Sequence, residues 1–231
     1  MSEFRKKALV AALASVSASV AACSPGYPGP LLWHNFARHD PAAEVAVSPD
    51  PRCPRVGPQN LREDEKAILL AAMAEVCAIT LSEEFEREVR GRTWLATCLG
   101  REGETISGDE VYRLFAGARP FSVRFRKPMN AEATTQIGNE RIAIRRMRLK
   151  AWRAGGAKRG DLINTLAHEM THMVPATRGN ERFMFQDHNH HERKRPALEL
   201  VSYGIGDLVE RLWLKKAALP VPAEGETVES C

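Results

Sequence analysis

His168-Glu169-Met170-Thr171-His172 lies inside a stretch whose apolar residues, Leu162, Ile163, Leu166, Met170 and Met173 or Val174, step by three and four. That is the period of an α-helix with one buried face. Asp161 stands where such a helix would be capped, and Pro175 where it would end. Two histidines four residues apart stack one turn above each other, so both imidazoles reach a single Zn²⁺ at about 2 Å. The glutamate between them points toward an attacking water, from which it can take a proton and pass it to a leaving amine. A catalytic zinc also needs a third protein ligand and one open position.

Two places downstream can supply that ligand. One is the cluster Asp187-His188-Asn189-His190-His191, and the other is Glu199 on the next helical pattern. Pro175 and Arg178 stand where a metzincin would carry glycine and histidine, which excludes that class.

The rest of the chain reads as helices, then a small sheet, then two helices, an α+β plan. Ile68, Leu69, Ala72, Met73, Val76 and Ile79 mark a first helix from about Leu61. Thr80 to Glu83 and Ser107 to Glu110 have the spacing of capping boxes opening two more. Trp94 to Leu99 reads as extended, and Ser122 to Arg126 alternates as a half-exposed strand does. Glu140 to Arg145 alternates too, and the phase shift at Met147 and Leu149 predicts a bulge. A last helix starts beside Pro196 and carries Leu198, Val201, Ile205, Leu208 and Leu212.

The front of the chain differs. Arg5, Lys6 and Lys7 precede an Ala/Val/Leu run ending at Ala22, too short and too rich in serine to span a bilayer and suited to an export signal. Half of the formal net charge of +4 lies in this segment. Val20-Ala21-Ala22-Cys23 resembles a bacterial lipobox, which implies cleavage before Cys23, lipidation of its thiol and, with Ser24 following, an outer-membrane lipoprotein. Eight of the fourteen prolines fall between Ser24 and Asn60, a density that blocks helix and central strand and predicts a stiff tether or an extended arm laid on the domain. The expected division is 1–22 signal, 23–60 lipidated cysteine and tether, 61–218 catalytic domain and 219–231 tail.

In an exported chain the other cysteines, Cys53, Cys77, Cys98 and Cys231, are free to form disulfides. Cys77 ends one helical pattern and Cys98 follows the next, so Cys77–Cys98 is the expected pair, leaving Cys53–Cys231. Pro51-Arg52-Cys53 also resembles the opening of the cysteine switch of matrix metalloproteases.

His168-Glu169-Met170-Thr171-His172-Met173-Val174 resembles the HELTHAV block of the thermolysin family. The stretch from Glu199 to Glu210 resembles that family's glutamate helix, EAISDIFGTLVE, sharing Glu199, Ser202, Gly206, Leu208, Val209 and Glu210. The two blocks cover about twenty residues. The resemblance implies a minimal zincin core with one Zn²⁺ held by His168, His172 and Glu199, and Glu169 as general base. It also implies a twisted sheet whose edge strand overhangs the cleft, with the active-site helix below and the glutamate helix beside it.

Two departures stand out. Tyr203 occupies the place of the family's aspartate that orients the first zinc histidine, and the interval from His172 to Glu199 is longer. That longer interval resembles the region after HExxH in SprT-like proteases, where a third histidine binds zinc; His191 is the best match. If Glu199 binds zinc, a histidine of the cluster or Tyr203 could serve the oxyanion instead.

The expected function is a lipid-anchored zinc metallopeptidase acting on peptide or protein substrates, with a zinc-binding pseudoprotease or a cell-wall amidase as alternatives. Between Arg141 and Arg159 eight basic residues occur without an acidic one, read as a solvated edge-strand face or as a contact for acidic peptides or anionic lipids. Without interleaved aromatics beyond Trp152, and with a near-neutral total, no nucleic-acid partner is expected. Oligomeric state is not encoded in any motif.

Overall fold

The computed structural model describes residues 44–57, 61–95, 105–126, 134–136, 141–174, 176–178, 181–183, 185 and 197–221. The signal segment, Cys23, the first part of the proline-rich arm, Cys98, His188, His190, His191 and Cys231 lie outside the described residues.

The chain has an α+β fold. Strands β1 (Val45–Ala46) and β2 (Arg55–Val56) precede helices α1 (Glu63–Thr80) and α2 (Glu83–Arg90). Strands β3 (Thr93–Leu95) and β4 (Thr105–Ser107) form an antiparallel pair that leads into α3 (Gly108–Gly117). Then come β5 (Ser122–Phe125), β6 (Thr134–Gln136), β7 (Arg141–Ala143), α4 (Arg146–Ala154), a 3-10 turn (Gly156–Arg159) and α5 (Gly160–Thr171). The short pair β8 (Ala176–Arg178) and β9 (Glu181–Phe183), a 3-10 turn (Ala197–Glu199) and α6 (Val201–Lys216) complete the described chain.

The main sheet is mixed, in the order β1-β2-β5-β7-β6. β2 runs parallel to β5 and β5 to β7, while β1 and β6 lie antiparallel at the two margins. In β5, Val123 and Phe125 turn into the core while Ser122 and Arg124 face away, the alternation expected of a half-exposed strand. Ile142 of β7 joins the same core, where α1, α5 and α6 contribute Leu69, Met73, Val76, Leu162, Leu166, Ile205 and Leu208. Among the described residues no helix is long and apolar enough to cross a membrane.

Four local expectations are corrected. The first folded elements lie before Leu61: β1 and β2, within the expected tether 23–60, pair with β5 and so belong to the domain. Cys53, carried on that hairpin, bonds to Cys77 of α1 and not to Cys231, with Cα atoms 5.5 Å apart. The Cys77–Cys98 pairing and a Cys53 switch thiolate are therefore both excluded. The capping residue of α2 is Ser82, whose hydroxyl accepts the Phe85 N–H at 3.2 Å, whereas Thr80 bonds back to the Cys77 carbonyl within α1. Finally, the phase shift at Met147 marks the start of α4 and not a bulge, because a helix also moves apolar positions off period two.

That last correction moves the basic run. β7 is an inner strand between β5 and β6, and most of the eight basic residues sit on α4 and the following 3-10 turn, so the run is not an edge-strand face.

Candidate metal centre

α5 packs along α6, and its whole length from Leu162 to Thr171 is buried. Gly206 allows this close approach, and Gly204 lets α6 close on Trp94 of β3. A Cβ on Gly206 would stand 2.6 Å from Asn164 Oδ1 and 3.3 Å from His168 Cβ, and one on Gly204 would stand 2.3 Å from the Trp94 ring. Only a residue without a side chain fits at these two points.

His168 lies in the last turn of α5, and His172 is the next residue beyond it, still in right-handed helical conformation. The two residues are 3% and 8% exposed, so both are withdrawn from bulk water. Their Nε2 atoms are 3.2 Å apart, and the rings cross at 81°. Two metal–nitrogen bonds of about 2.05 Å at a tetrahedral angle separate their nitrogens by about 3.3 Å. The pair therefore fits a tetrahedral ion of zinc size without rearrangement of the helix.

The tautomer follows from the second nitrogen. His172 Nδ1 donates to the backbone carbonyl of Phe185, a buried residue. The proton sits on Nδ1, so the Nε2 lone pair is left toward His168. This is the outer hydrogen bond that metal-binding histidines generally make.

Tyr203, from the first turn of α6, meets His168 edge-to-face with ring centroids 4.7 Å apart. It packs with Leu95 and Leu200, and the backbones of those two residues form an isolated parallel bridge. Tyr203 thus restrains the first histidine through ring packing at the position where the thermolysin-like pattern has a carboxylate. Glu169, between the histidines in sequence, is buried at 3% exposure.

Glu199 is not on α6. It ends the 3-10 turn Ala197–Glu199 that precedes the helix, and it is half-buried. Among the described residues, no group of three His, Cys, Asp or Glu side chains comes together to hold a metal. His188, His190 and His191 lie outside the described residues.

Two features beneath the pair escaped the sequence. One is the Phe185 carbonyl, since backbone acceptors leave no residue-type signal. The other is a buried carboxylate, Glu210, whose Oε2 accepts from Asn164 Nδ2 at 2.8 Å. Asn164 is one turn before His168, a spacing that could have marked it. Burial pushes the Glu210 carboxyl up to about 7; Asp161 and Asp207 push the same way, while the Asn164 hydrogen bond and Arg148 oppose them.

Comparison with protein families, curated proteins and solved structures finds no match to this chain.

Proposed function

We propose that the chain is a zinc-dependent metallopeptidase, and the observation that carries this reading is the 3.2 Å approach of two buried Nε2 atoms flanking Glu169 in sequence. His168 and His172 would hold the ion. When bound, Zn²⁺ supplies a Lewis acid that polarises a scissile carbonyl and acidifies water.

The protein's own groups carry the remaining steps. The Phe185 carbonyl fixes the His172 tautomer, and Tyr203 restrains the His168 ring. Glu169 takes the proton of the attacking water and delivers it to the departing amine, so the peptide bond breaks without a covalent enzyme intermediate. β6 is an outer strand of the sheet and lies against α5. An extended peptide adding to that margin would lie on the α5 side of the sheet, as strand addition generally works.

The third ligand is Glu199 or a histidine of the 188–191 stretch. His191→Ala and Glu199→Ala, each followed by metal analysis, separate the two.

The anchor reading rests on Val20-Ala21-Ala22-Cys23, and the Cys53–Cys77 disulfide supports the oxidising envelope compartment that it requires. Cys23→Ala should move the protein from the membrane to the soluble fraction. Glu169→Gln tests the catalytic reading: a pseudoprotease would lose nothing by it.

A further inference from the structure

The face of the main sheet turned away from the core carries arginines side by side. Arg124 of β5 and Arg141 of β7 are register partners in parallel strands, and both lie opposite the core-facing Val123, Phe125 and Ile142. Neighbouring strands are about 4.8 Å apart, so two like charges stem from adjacent positions. Such a pair destabilises a sheet unless an anion offsets it.

Among the described residues little does so. β5, β7 and α4 contain no acidic residue. Glu44, which reaches this face, is engaged by Arg55 at 3.1 Å and by the Ser122 hydroxyl. Among the described residues, the Nε atoms of Arg124 and of Arg145, which follows β7, are buried and have no hydrogen-bond partner. A buried donor left unmade costs stability, more so when charged. The arginines themselves are half-exposed, so a ligand from solvent can reach their guanidinium groups.

We propose that Arg124, Arg141 and Arg145 form a binding site for a phosphate group on the outer face of the sheet. Several guanidinium forks exceed what the two oxygens of a carboxylate can accept, whereas a phosphate presents three or more oxygens and up to two charges. Free phosphate and a phosphate monoester headgroup of a lipid share this chemistry.

The test is thermal melting of the full chain in inorganic phosphate, in a soluble short-chain phosphatidic acid and in short-chain phosphatidylcholine, each against chloride at equal ionic strength. At tenfold saturation the site predicts a saturable rise of roughly 3–5 °C. A rise with both phosphates, with inorganic phosphate alone or with phosphatidic acid alone supports the site and identifies the source.

The Arg124→Gln, Arg141→Gln double variant should melt in chloride at or above the wild-type temperature, because a like-charge pair is gone, and should lose the phosphate effect. Arg124→Lys, which keeps the charge but not the fork, should bind about tenfold more weakly. The proposal is overturned by no rise beyond chloride, or by an equal rise in the double variant, which would mean an adventitious ion only. A double variant that melts well below wild type in chloride also overturns it, by showing that the arginines are already paired within the fold.

Discussion

The Nε2 atoms of His168 and His172 lie 3.2 Å apart at the end of a buried helix, with the Nδ1 of His172 bonded to the Phe185 carbonyl. The spacing matches the nitrogen–nitrogen edge of a tetrahedral zinc site, and the carbonyl sets the tautomer that leaves a lone pair inward. His168→Ala and His172→Ala should each weaken zinc binding by about two orders of magnitude or more, measured by competition with a chromophoric chelator. Circular dichroism of both variants should keep the wild-type helical signal.

Gly206 sets the distance between α5 and α6. A methyl there meets Asn164 Oδ1 at 2.6 Å and His168 Cβ at 3.3 Å, so the helices must part. Gly206→Ala should cost about 1–3 kcal/mol of stability in denaturant titration. Because His168 is one of the displaced contacts, the variant should also lower zinc affinity.

Glu210 makes stability depend on pH. Its folded pKa of about 7 lies above the ordinary 4.5, so between these values the native chain binds more protons than the unfolded one. Its contribution is full below about pH 4.5 and is lost as pH rises through 7, a change of at most a few kcal/mol. Glu210→Gln keeps an oxygen for Asn164 and removes the charge. Its melting temperature should fall less than that of the wild type between pH 5 and pH 8, and should exceed it at pH 8.

Cys53 and Cys77 close a sequence separation of 24 residues and tie the β1–β2 hairpin to α1. Loop-closure entropy for that length corresponds to about 3 kcal/mol. Cys53→Ser with Cys77→Ser should lower stability by roughly that amount, and peptide mapping without reductant should recover the Cys53–Cys77 cross-link. A cross-link from Cys77 to Cys98 would contradict the fold.

The helices were legible because burial enforces a period. Leu69 to Ile79 and Leu162 to Val174 are read from spacing and stand in the core as expected. Ser107 likewise caps α3 by accepting the Glu110 N–H at 3.3 Å. What was not legible depended on partners distant in sequence. Nothing local tells Cys77 that the hairpin at Cys53 will lie over α1, and the proline-rich composition hides two strands that are only two residues long. The α4 boundary was missed because three alternating residues before it set a false period. Of the site, the histidine pair and Glu169 follow from spacing alone, whereas the Phe185 carbonyl, the edge-on Tyr203 and the Asn164–Glu210 contact arise only from packing.

The most direct test compares the full chain with its Glu169→Gln variant for both zinc content and hydrolysis of an unfolded protein substrate. The account predicts about one zinc per chain in each, with hydrolysis present in the wild type, abolished by chelation, and reduced at least a hundredfold in the variant. A wild-type chain that retains no zinc, or hydrolysis that survives the substitution unchanged, would contradict it.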